Sequence, residues 1–86
     1  MAKFLDHHPM PSMSPEQGKA MVGQIKSAID SKKPNSFGVT SFNVFMAPGE
    51  AWCYSDAANA EAIVKSHEAM GIKLAVKDVT QVSPVA

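Results

Sequence analysis

Five residues stand out by type and spacing: Asp6, His7 and His8 in the run FLDHHPM, Cys53 in AWCYSD, and His67 in AIVKSHEAM. Neutral imidazoles suit nickel, copper or zinc, a carboxylate adds a hard oxygen donor, and a thiolate favours a softer ion. If FLDHH is a regular strand, its side chains alternate, so Asp6 and His8 share one face and His7 points to the other. The i, i+2 spacing of Asp6 and His8 suits a chelate, or a carboxylate that orients an imidazole. His67 falls at helical spacing on a stripe with Ile63 and Met70, where a plain core would use leucine. Two readings are open for it: a core-edge histidine bonded to a backbone carbonyl or to Glu68, or a ligand that a helix brings towards the sheet. Cys53 is likewise open between a buried core thiol and a ligand. No basic group adjoins it in sequence, which argues against an activated catalytic thiol.

Other chemistry is less well supplied. Met10 and Met13 flank a proline turn and can reach a site near His8, whereas Met21 is explained by helix packing. Asp6, His8, Glu68 and His67 are the groups available for acid–base work. Phe42, Trp52 and Tyr54 can line a cavity between two sheets for an organic ligand, or form plain interface core. No glycine-rich phosphate loop, zinc-protease helix or catalytic-triad signature is present in the sequence.

The elements that must position these groups can be read from punctuation and period. AKFLDHH is a strand closed by Pro9 and Pro11. Ser14 caps a helix over SPEQGKAMVGQIKSAIDSKK, with Pro15 at its first position and Gln17 completing a capping box. Met21, Ile25, Ala28 and Ile29 share its apolar face. KKPNSFG breaks the pattern, and FGVTSFNVFM follows as a strand rich in aromatic and β-branched residues. Its alternation places Phe37, Val39 and Phe45 on one face and Phe42, Val44 and Met46 on the other. APGE turns the chain into AWCYSD, a strand running back antiparallel. Asn59 caps a second helix, AEAIVKSHEAM, which Gly71 ends. A last strand falls within VKDVTQVS. The order strand, helix, strand, strand, helix, strand predicts an α+β, ferredoxin-like βαββαβ domain spanning residues 1–86. It has a four-stranded antiparallel sheet with two helices on one face. The apolar side chains on both faces of the third element predict a homodimer that stacks the two bare sheet faces.

The 86 residues have room for one modest core, and 45% are apolar. Eight basic and eight acidic residues cancel, and there is no arginine, so a nucleic-acid partner is not expected. No apolar run approaches membrane-spanning length and the N-terminal residues lack a signal peptide's apolar centre, which makes the cytoplasm the expected location. The lone cysteine excludes an internal disulfide and any CxxC metal knuckle.

FLDHHPM, SPEQ, AWCYSDAANAEAIVKSHEAMG and DVTQV together resemble a family of small bacterial proteins of otherwise unknown function. Its best-understood members are described as nickel-binding, ferredoxin-like homodimers. The resemblance spans nearly the whole chain and is most specific from the third strand into the second helix. It implies a metal role for Asp6, His7 and His8, for His67, and for Cys53. One departure is GIKLAVKD after the second helix, where family members often carry further histidines and this chain has none. The expectation is a small nickel-binding protein, with copper or zinc as alternative ions, that stores, buffers or senses metal. The competing expectation is a dimeric ferredoxin-like enzyme or small-molecule binder with an aromatic-lined cavity.

Overall fold

The computed structural model describes residues 1–85. In chain order the elements are β1 (Ala2–Pro9), α1 (Pro15–Ser31), β2 (Thr40–Ala47), β3 (Glu50–Ala57), α2 (Ala60–Ala69) and β4 (Val79–Val82). The strands form one antiparallel sheet in the order β2-β3-β1-β4, with both helices over the same face. This is the expected α+β ferredoxin-like arrangement, and it places β1 and β3 side by side at the centre.

Local chemistry explains the boundaries. Ser14 Oγ accepts a hydrogen bond from the Gln17 N–H at 3.1 Å, and Gln17 Oε1 accepts one from the Ser14 N–H at 3.0 Å. That reciprocal capping box starts α1. Asn59 Oδ1 accepts from the Ala62 N–H at 2.9 Å and starts α2. Gly71 ends α2 with φ at +76°, a left-handed conformation that glycine adopts without a Cβ clash. Pro48 and Gly49 make the tight turn between β2 and β3, again with a left-handed glycine at φ +76°.

The second strand departs from simple alternation. Ser41 pairs with Ser55, yet Asn43 already pairs with Tyr54, so Phe42 is an extra residue on the β2 side of the ladder. Such a bulge reverses the facing of everything beyond it. Val44 and Met46 therefore turn towards the helices, opposite Cys53 and Ala51, while Phe45 pairs with Trp52 on the uncovered face. Phe42 joins that uncovered face, its ring centroid 5.2 Å from that of Tyr54. The predicted split of Phe37, Val39 and Phe45 from Phe42, Val44 and Met46 is thus corrected. A second difference is the short 3-10 turn Val76–Asp78 that leads into β4.

Phe4, Val39, Ala57, Ile63 and Leu74 form the buried core, gathered between α2 and the sheet. Asn35 ties the loop after α1 into this core: its Oδ1 accepts from the N–H groups of Phe37 and Val39, and its Nδ2 donates to Ser66 Oγ on α2 at 2.7 Å. No residue of α1 is itself buried, so this helix stands off the sheet. Among the described residues, no helix is long and apolar enough to cross a membrane.

Candidate metal centre

The pairing of β1 with β3 sets Asp6 opposite Cys53 and His8 opposite Ala51, with all four side chains on the helix-covered face. His7, one residue out of phase, pairs with Trp52 on the other face. Above the sheet, the last turn of α2 carries His67. One donor atom each from Asp6, His8, Cys53 and His67 lies within 4.8 Å of all the others. His67 Nε2 is 3.4 Å from Asp6 Oδ1, His8 Nε2 is 3.9 Å from the same oxygen, and Cys53 Sγ is 3.8 Å from His8 Nε2. The two imidazole rings meet edge to face at 4.9 Å.

Each imidazole is held by its far nitrogen. His67 Nδ1–H donates to the Ile63 carbonyl at 2.8 Å, and His8 Nδ1–H donates to the Pro9 carbonyl at 3.0 Å. A carbonyl oxygen only accepts, so the proton sits on Nδ1 in the neutral rings and both Nε2 lone pairs face the cluster. This is the carbonyl-oriented histidine pattern common around bound metals. The backbone bond expected of a core-edge histidine at position 67 is present, and it leaves the other nitrogen facing Asp6. Glu68 is exposed and is not the partner.

Asp6 is the most telling member. It is 1% exposed, and neither carboxylate oxygen has a hydrogen-bond partner. Buried carboxylates are normally paired and hydrogen-bonded, because water is no longer there to solvate them. Its field is felt by both neighbours. Burial alone lowers the pKa of His67, but the Asp6 carboxylate and the Ile63 carbonyl together outweigh it and leave the imidazole raised above its ordinary value. Burial first, and the Asp6 charge second, push the Cys53 thiol far above the usual thiol range, so it stays protonated at neutral pH. The set fits a divalent cation. Two lone-pair nitrogens, a thiol and an orphaned carboxylate converge, and with Cys53 deprotonated the two negative charges match a dication.

The structure does not bring His7 to this group. Its ring stacks on Trp52 at 4.9 Å and its Nε2 lies 2.9 Å from Glu50 Oε1, both on the uncovered face. Phe42, Trp52 and Tyr54 lie on that face as well, and none lines the partly open cavity beneath the helices. Met10 does line it, beside His8. Sequence reasoning did not single out Ser55, a buried residue two positions beyond Cys53 whose hydroxyl has no hydrogen-bond partner. Its place on the Cys53 face of the strand was the available signal.

No family model and no curated protein matches this chain. The resemblance to a nickel-binding family accordingly finds no support from either comparison. Among solved structures, the chain is similar to SCO4226 from Streptomyces coelicolor A3(2), at 23% identity and a TM-score of 0.65. The match covers 99% of this chain and 100% of the Streptomyces chain, so the two share the fold from end to end.

Proposed function

We propose that this is a transition-metal-binding protein that holds one divalent ion between Asp6, His8, Cys53 and His67. The observation that carries the reading is the buried Asp6 carboxylate, without a hydrogen-bond partner and faced by two imidazole Nε2 atoms fixed from behind. A dication supplies the positive charge such a cluster lacks. Neutral imidazoles bind without changing their charge, a protonated His67 must first release its proton, and Cys53 gives up its own to become a ligand. Nickel is the ion assigned, on the resemblance of the sequence to the nickel-binding family; copper and zinc suit the same donors. Storage, buffering or sensing of metal is the corresponding role.

The protein acts as a homodimer in this reading. Leu5, Phe42 and Phe45 are exposed on the uncovered sheet face, next to half-buried Trp52 and Tyr54. A second copy stacked on that face removes these side chains from water and leaves the metal centres on the far sides of the two sheets.

The test is calorimetric titration of metal-free protein with nickel, copper and zinc, beside His67→Ala and His7→Ala. Saturable binding of one ion per chain that survives His7→Ala and is lost in His67→Ala is expected. Equal affinity in wild type and His67→Ala would remove this site.

A further inference from the structure

Because α1 stands off the sheet, a cavity of about 140 Å³ lies beneath it. Met21, Ile25 and Ala28 of α1 face Val44 and Met46 of β2 across this space, and its walls are mostly apolar. An apolar cavity of about 150 Å³ is enough to take up a benzene ring. Two features distinguish this one from a packing defect. His8, Cys53 and His67 form part of its wall and Asp6 does not, so the donor cluster opens onto the cavity and is backed by the carboxylate. Further along the same wall, the Ser55 hydroxyl is buried without a partner. Two residues along β3 separate it from Cys53, about 7 Å at the rise of an extended strand.

We infer that the cavity binds a neutral, ring-sized organic molecule whose donor atom, a nitrogen or a thioether sulfur, reaches the ion held by the cluster. Its body fills the apolar space, and a polar group at its far end is met by Ser55. Neutrality follows from charge counting. A dication with the Asp6 carboxylate and the Cys53 thiolate sums to zero, and an anionic ligand would leave a net charge against the mostly apolar wall beside His8, Cys53 and His67. Ring size follows from the volume. The inference rests on the metal-binding reading above, and adds a ligand class to it.

Pyridine is the direct probe, being benzene with one CH replaced by a neutral donor nitrogen. Nickel-loaded and metal-free protein are each titrated with pyridine, benzene and benzoate, followed by calorimetry and by the visible absorption of the nickel. The expected result is pyridine binding at least about tenfold tighter to the loaded than to the metal-free protein, a difference that benzene does not show. Pyridine alone shifts the nickel bands, and benzoate binds more weakly than pyridine despite sharing the ring. Ile25→Phe enlarges a half-buried α1 side chain that lines the cavity, on a helix that carries none of the donors, and is expected to weaken pyridine about tenfold while leaving the nickel titration unchanged. Unshifted nickel bands with pyridine overturn the inference and leave the metal site standing, as does full pyridine affinity in Ile25→Phe. A protein that takes up none of nickel, copper or zinc in the calorimetric titration overturns both readings.

Discussion

Asp6→Asn separates a metal ligand from a structural carboxylate, because the two roles predict opposite signs without metal. In the metal-free protein both Asp6 oxygens are buried and lack hydrogen-bond partners. A buried polar group left unmade costs about 1–3 kcal/mol, and more when charged. Asparagine has nearly the same shape, removes the charge, and offers an N–H to the Nε2 atoms of His67 and His8, which lie 3.4 and 3.9 Å from Asp6 Oδ1. At a pH above the raised His67 value, where no pairing of Asp6 with a protonated His67 is lost, the variant should therefore be more stable than wild type in a chelator, by about 1–3 kcal/mol. For a domain of this size each kcal/mol raises the thermal midpoint by about 4–8 °C. Nickel acts in the opposite sense, stabilising wild type more than the variant. At a free concentration a hundred times the dissociation constant, binding stabilises the folded state by about 2.7 kcal/mol; a hundredfold loss of affinity leaves about 0.4 kcal/mol. Removing a charged ligand, and with it the charge balance of the site, is expected to weaken binding by at least that factor. Thermal unfolding followed by far-ultraviolet circular dichroism, in chelator and in nickel, measures both quantities. A lower midpoint in chelator, or a full nickel increment in the variant, would refute the reasoning.

Two further outcomes are expected. The raised pKa of His67 means that the folded metal-free protein binds its proton more tightly than the unfolded chain does. That contribution is complete below 6.5, the ordinary histidine value, and is lost as pH rises through the raised folded value. Protons compete with the ion, so between about pH 6 and pH 8 the metal-free midpoint should fall while the nickel increment grows; a series of unfolding curves tests this, and parallel curves would contradict it. On the uncovered face, Phe45→Lys places a charge on a side chain that is 56% exposed in the single chain. Sedimentation should show a dimer for wild type and a monomer of unchanged fold for the variant, and a wild-type monomer would end the dimer proposal.

Much of this could be read from the residues, and the exceptions have definite causes. The facing of Asp6, His7 and His8 follows from strand alternation alone, because β1 is regular and its partner register adds nothing to it. His67 was visible as a polar residue on an apolar stripe, but its carbonyl partner is set by the helix and its contact with Asp6 by the packing of α2. Cys53 was a candidate only; what brings its sulfur to His8 is the register of β1 on β3, a long-range property that strand sequences do not print. The reversal within β2 was hidden for a related reason. A bulge adds one residue without any compositional mark, and Ser41-Phe42-Asn43 alternates as well in either phase. The cavity was the least legible feature, since it arises from α1 standing away from a sheet whose own residues look ready to be covered.

The most direct measurement is a crystal structure of the nickel-loaded protein with data collected at the nickel absorption edge. One anomalous peak is expected per chain, within about 2.0–2.4 Å of Nε2 of His8 and His67, Sγ of Cys53 and a carboxylate oxygen of Asp6. A peak beside His7 and Glu50 on the uncovered face, or none between β1, β3 and α2, would contradict the account.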